Sequence, residues 1–183
     1  MVRCILDFAA GLEPRLPHRE ELEPKELLLS DLQANRKAAD SLNNKGDLQL
    51  SPKSIRDLDR HGRSLWNLCI RLKRGNDDQR ENDDEAEILL KARLFAFSIL
   101  RLARDAAPHS SNTETNLAYL INLAILLGKL CLMDGDTESA MITLQVAADY
   151  LLRLQDLPAS GQLINSRIRL EAQYLAIRIA LVS

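Results

Sequence analysis

The chain has 183 residues, a formal net charge of −2, 46% hydrophobic, 27% charged and 4% aromatic residues. That length supports a sizeable core, abundant Leu and Ala with few aromatics favour helix over sheet, and the charge balance provides no global field to attract nucleic acid. The three cysteines, Cys4, Cys69 and Cys131, are scattered, odd in number and without C-x-x-C pairing, which fits reduced thiols inside the cell.

Residues 1–24 hold Pro14, Pro17 and Pro24 among charges and read as an irregular N-terminal arm. One basic residue and a short apolar run broken by Asp7 do not make a signal peptide. A first helix is predicted over Lys25–Asn43, with Leu28, Leu32, Ala39 and Leu42 on one side and Asn43-Asn44-Lys45-Gly46 as the stop. Ser51-Pro52 starts the second, with Ser as N-cap and Pro at the first helical position. Its stripe is Ile55, Leu58, Gly62, Leu65, Cys69 and Leu72, widened by Trp66, close to 3.6-residue spacing. Gly62 falls on the buried face, where a missing side chain permits close helix contact.

Residues 75–84 form an acidic break carrying Asp77, Asp78, Glu81, Asp83 and Asp84, expected as an exposed loop. A third helix is predicted over Asp84–Ala106, with Leu89, Phe95, Ile99, Leu102 and Ala106 apolar and Pro108 as the stop. A fourth spans Thr113–Met133 and a fifth Thr137–Gln155 after an Asp136 cap. Leu117–Met133 is apolar enough to suggest a membrane span. It falls short of the about 20 apolar residues a span needs and contains Lys129, so a buried helix is the better reading. After the turn at Pro158–Gly161, a sixth helix begins at Gln162 and is apolar on most of its circumference, which marks a buried helix. It stops at Ser183 without a polar outer face, so the sequence looks cut in mid-array. No period-2 strand pattern occurs. The expectation is an all-α fold of antiparallel hairpins stacked as a solenoid over residues 25–183, pairing helices 1–2, 3 with 4 or 2, and 5–6.

Ala124–Ala147 gives the sharpest pattern. Leu127, Gly128, Cys131, Gly135, Ala140, Leu144 and Ala147 sit at the offsets of one tetratricopeptide (TPR) unit, a helix–turn–helix repeat of about 34 residues. Gly128 admits the second helix, Gly135 takes the turn conformation that is cheap for glycine, and Ala140 is small where the helices cross. A lone unit cannot bury its apolar face, so it belongs to a stacked array of the kind that binds proteins. Registered on Gly128, the groove-facing positions are Asn122, Ile125, Lys129 and Leu132, unless a neighbouring helix covers them.

Residues with chemical potential lack the spacing that chemistry needs. His18, His61 and His109 make no metal motif. Gly128-Lys129 lacks the other glycine and the following hydroxyl of a phosphate loop. Asp134-Gly135-Asp136 fits a capped turn better than a calcium loop, whose glycine and closing glutamate are misplaced. Cys69 reads as a small core hydrophobe. No catalytic, cofactor or metal residue is assigned, and the chain reads as a non-enzyme. Lys53, Arg56, Arg60, Arg63, Arg71, Lys73 and Arg74 could touch phosphates, but patterned charge on a helix usually serves solubility.

The segment Gly62–Leu72, with its Leu65-Trp66-Asn67-Leu68-Cys69 core, resembles a signature stretch of the meiosis-specific TPR-like scaffold family, that of sporulation-specific protein twenty-two and the synapsis-initiation zipper protein four, especially its fungal members. The acidic gap, the Lys91–Phe97 helix and the repeat at Gly128–Ala147 are similar in context, over roughly residues 25–183. The family members are much longer solenoids, so this chain would correspond to an N-terminal portion. The resemblance implies a nuclear, chromosome-associated scaffold in meiotic synapsis and crossover formation, whose partners are other synapsis and crossover proteins and neither membrane nor, directly, nucleic acid. It carries no catalytic residues or cofactor. The alternative is a generic TPR-type adaptor or co-chaperone, whose consensus does not account for Trp66; a third reading is a helical nucleic-acid binder using the basic second helix.

Overall fold

A computed structural model describes residues 1–18, 24–44, 49–75, 83–107, 114–155 and 162–182. The fold is all-α. Among the described residues there are seven α-helices and no strand: α1 (Val2–Arg15), α2 (Lys25–Asn43), α3 (Pro52–Gly75), α4 (Asp83–Asp105), α5 (Glu114–Met133), α6 (Thr137–Gln155) and α7 (Gln162–Val182).

The chain divides into two compact units, Met1–Ala107 and Pro108–Ser183, where the sequence reading placed one repeat domain over 25–183. Part of that difference comes from α1. Residues 1–24, read as an irregular arm, are helical over Val2–Arg15. Ile5, Ala9, Leu12 and Leu16 recur with helical spacing and are all buried. Pro14 lacks the N–H that would bond the Ala10 carbonyl and its ring crowds that carbonyl, and from the last turn this disturbance is confined to the C-terminal end of the helix. Pro17 lies in a short 3-10 turn at Leu16–His18, and Pro24 is the residue that caps α2. Residues 19–23 lie outside the described residues, as does most of the acidic 75–84 segment, whose ends belong to α3 and α4.

In the first unit α4 is the central helix. From Ile88 to Leu100 every residue except Lys91 is buried, so the helix needs cover on all sides. Both α2 and α3 lie along it and meet each other at most marginally. The expected 1–2 hairpin is therefore replaced by two amphipathic helices that share one apolar partner. α2 contributes Leu28, Leu32, Ala39 and Leu42; α3 contributes Leu58, Leu65, Trp66 and Cys69. α1 packs on α3 and reaches α4 through Phe8, whose ring meets Phe95 edge-on at 5.2 Å between centroids.

Polar contacts fix the helix ends. The Ser54 backbone N–H donates to Ser51 Oγ at 3.1 Å, the predicted N-cap of α3. Lys25 Nζ bonds Asp84 Oδ1 at 2.5 Å and Glu87 Oε2 at 2.8 Å, tying the start of α2 to the start of α4. Arg104 Nη2 donates to Asp59 Oδ1 at 2.6 Å between α4 and α3. The Asn43 amide donates to the Ser98 carbonyl at 3.3 Å, and buried Arg93 donates to the Cys69 carbonyl at 3.1 Å.

Gly62 is where α3 and α4 approach most closely. A Cβ at this position would lie 2.5 Å from Leu100 Cγ and 3.2 Å from the Ala96 carbonyl oxygen. Neither atom is the free end of a flexible chain, so Gly62→Ala is expected to destabilise the protein by about 1–3 kcal/mol through overpacking. Gly11, in α1, has nothing within 4 Å of such a Cβ, and Gly11→Ala is expected to stabilise by about 0.5–1 kcal/mol by improving helix propensity. Urea denaturation of the two variants should move the midpoint in opposite directions.

Candidate protein-interaction surface

The second unit is built from α5, α6 and α7, each packed on the other two. α5 buries Leu117, Leu120, Ala124, Leu127, Gly128 and Cys131 among others. It is the helix whose length and composition would also suit a membrane, and half of its most apolar window is buried in the protein. Its C-terminus closes in a Schellman arrangement. Asp136 N–H bonds the Cys131 carbonyl at 2.8 Å and Gly135 N–H the Leu132 carbonyl at 3.3 Å, with Gly135 at φ +79°. The Asp136 side chain then accepts the Ser139 backbone N–H at 3.0 Å, capping α6. The turn at Gly135 and the Asp136 cap predicted from the sequence form as expected.

Gly128 has the predicted role and two neighbours. A Cβ there would lie 3.0 Å from Thr143 Oγ1 of α6 and 2.6 Å from Leu175 Cδ2 of α7. Thr143 Oγ1 donates to the Ala140 carbonyl at 2.9 Å, so its polar atom is satisfied at this close crossing. α6 buries Ala140, Val146, Ala147, Tyr150, Leu151 and Leu154; α7 buries Ile168, Ala172, Leu175 and Ile179 at offsets of four, three and four residues.

Beside this seam α6 and α7 part, leaving a groove of about 680 Å³. Met141, Leu144, Ala148 and Leu151 line one wall, and Ala172 and Ala176 the other. Alanine at these α7 positions leaves the space between the helices unfilled. Gln145, Arg169 and Gln173 also border the groove. Gln145 is held by a hydrogen bond to Asp149 Oδ1 at 2.9 Å. Its walls are predominantly apolar with a few polar groups, which is the usual make-up of a binding cleft.

The four residues expected to line a concave groove lie along one face of α5 but are not equivalent. Asn122 is exposed and Leu132 half-buried. Ile125 is only 1% exposed, so it presents no open surface. Lys129 is engaged within the unit: its Nζ lies 3.1 Å from Glu171 Oε2 on α7, and Arg167 Nε lies 3.3 Å from the other carboxylate oxygen. Lys129 foremost, with Arg167, holds the Glu171 carboxyl below the usual glutamate range. The open apolar surface is on the α6–α7 side. The sequence reading placed Leu144 among the TPR-type packing positions, whereas it is half-buried on the groove wall; the apolar circumference of α7 was the available signal.

Elsewhere, polar clusters join helices. Glu13 of α1 accepts from Ser64 Oγ at 2.8 Å and pairs with His61 Nδ1 at 2.6 Å. Ser64 and His61 both address the carboxylate rather than each other, so the three do not form a nucleophile–base pair. On α3, Arg60 and Arg63 pair with Asp57 and Asp59 of the same helix at 3.2 and 3.0 Å, which locally neutralises the basic face. Among the described residues no group of three His, Cys, Asp or Glu side chains is placed to hold a metal ion.

No protein-family model matches the chain, and no curated protein or solved structure is significantly similar to it.

The Lys129–Glu171 pair ties α5 to α7 and makes that contact acid-sensitive. Because the folded carboxyl titrates below its unfolded value, its contribution is present above the ordinary glutamate range and is lost as pH falls through the folded value. Both groups are about one-third exposed, so solvent screening limits the pair to about 0.2–1 kcal/mol. Lys129→Glu should lower stability at neutral pH, and the swap Lys129→Glu with Glu171→Lys should recover part of the loss. Acid titration followed by circular dichroism should show a shallower stability loss below the glutamate range for Lys129→Met than for the parent chain.

Proposed function

We propose that this chain is a protein-binding scaffold acting in the nucleus in meiotic chromosome synapsis and crossover formation. The observation that carries the binding role is the apolar α6–α7 groove, with its alanine-lined α7 wall. Such a channel suits an amphipathic helix laid lengthwise, its apolar side chains between Met141 and Leu151 and its backbone over Ala172 and Ala176. Arg169 at the border is exposed and has no ion pair among the described residues, so the fitting helix carries an acidic residue opposite it. The mechanism is surface complementarity without bond-making, with a few anchoring side chains supplying most of the affinity.

The meiotic assignment rests on the resemblance of Gly62–Leu72. In the folded chain Leu65, Trp66 and Cys69 of that stretch are buried. The segment thus acts as core, and its resemblance speaks for a shared helical framework that presents partner-binding surface elsewhere.

The test is recovery of the tagged chain from meiotic and from mitotically dividing cells, with co-purifying proteins identified by mass spectrometry. Synapsis and crossover proteins are expected from meiotic chromatin. Filling the groove with Ala148→Leu and Ala176→Leu, or reversing charge with Arg169→Glu, should lower their recovery about tenfold, a loss of about 1.4 kcal/mol, while helicity stays unchanged. Full recovery by the groove-filled chain would remove the groove from the interface. An abundant protein confined to the cytoplasm of non-meiotic cells would overturn the meiotic reading.

A further inference from the structure

A second apolar surface lies on the outer side of α7, away from the residues that α7 buries. Leu170, Tyr174, Ile177 and Leu181 are 66, 57, 60 and 79% exposed. Their offsets of four, three and four residues are the a/d spacing of a coiled-coil seam. They form one continuous stripe, whereas scattered single hydrophobics would need no explanation.

The flanks of the stripe say what fits it. One flank carries Glu171 and Arg178, seven residues apart; the other carries Ser166, Gln173 and Ala180. Arg178 is exposed and has no ion pair among the described residues. Glu171 already receives Lys129 and Arg167, yet a carboxylate offers about four lone-pair sites, and this one is about one-third exposed. In an antiparallel pairing of α7 with α7 of a second copy, Leu170 faces Leu181 of the partner subunit and Tyr174 faces Ile177 of the partner subunit. The same register sets Glu171 beside Arg178 of the partner subunit, twice, by two-fold symmetry. A parallel pairing instead sets Gln173 against Arg178 and Ser166 against Glu171 and makes no charge pair. The neutral flank of Ser166, Gln173 and Ala180 meets its own copy without repulsion in the antiparallel case.

We propose that the outer stripe of α7 is a homodimerisation surface, on which two copies of this chain pair antiparallel through Leu170, Tyr174, Ile177 and Leu181 with reciprocal Glu171–Arg178 ion pairs. Gln173 and Ala180, on the neutral flank, also border the α6–α7 groove, so the dimer seam runs along the edge of that groove.

Sedimentation velocity of the full chain over about 1–100 μM is expected to show a monomer–dimer equilibrium. Ile177→Glu should leave a monomer of unchanged helicity, since the residue is exposed in the single chain. Glu171→Arg and Arg178→Glu should each weaken the dimer by about tenfold or more, because like charges then oppose each other at both flanks. A 1:1 mixture of those two variants should form the dimer again, since every flank pair then joins opposite charges. A chain that stays monomeric throughout, including one whose stripe is covered only when another protein is added, overturns the proposal. So does self-association that survives Ile177→Glu, or a mixture of the charge variants that dimerises no better than either alone.

Discussion

A helix that is apolar around most of its circumference has no stable position at a surface, and each unit of this chain is arranged to cover one. In the first unit it is α4, buried almost continuously from Ile88 to Leu100. In the second it is α5, which buries residues on successive turns from Leu117 to Cys131. Burial of each Leu or Ile side chain contributes about 1.5–3 kcal/mol, so covering these helices outweighs any other interaction in either unit. The ion pairs and caps act at the margins: they set where helices start and which ends meet. The close contacts at Gly62 and Gly128 follow from the same demand, since a helix that must be enclosed is enclosed best where a neighbour can come near its axis.

This constraint explains what the sequence made legible and what it hid. Helix positions were readable wherever local signals coincided. Ser51-Pro52 opens α3 and Gly135-Asp136 separates α5 from α6, and each signal is realised as a specific hydrogen bond. The pairing of helices was less readable. Spacing shows that α2 and α3 each have an apolar face, but not that both faces are satisfied by α4 instead of by each other. That choice depends on the competition among all apolar surfaces, which no local window contains. At α1 the prolines at 14, 17 and 24 obscured the Ile5, Ala9, Leu12, Leu16 stripe; their placement at helix ends is what makes them compatible with it.

The candidate interaction surface was legible only as an excess. Composition shows that α7 carries more apolar side chains than one neighbour can bury. It does not show which ones face inward, because every side of the helix offers candidates. The structure separates the exposed Leu170, Tyr174, Ile177 and Leu181 from Ile168, Ala172, Leu175 and Ile179, which are buried in the unit, with Ala172 and Ile179 also reaching the groove beside Ala176. Lys129 illustrates the converse problem. Its place in an apolar helix looked like a contact for a partner, yet the carboxylate that accounts for it lies 42 residues further along the chain.

The division of labour on α7 has a physical consequence for a binding function. A helix held by one buried seam, with two further faces open, can take a different neighbour on each side without giving up its own packing. Gln173 and Ala180 belong both to the groove edge and to the flank of the outer stripe, so neighbours seated on the two faces meet along that edge. The α7 wall of the groove carries the small side chains Ala172 and Ala176, which suit close backbone approach, opposite Met141, Leu144 and Leu151 of α6. Those on the outer stripe are large, Leu170, Tyr174, Ile177 and Leu181, and suit interdigitation. Two open faces of such different relief suit different neighbours, and the proposed partner helix and the proposed second copy would each use the one whose relief matches its own.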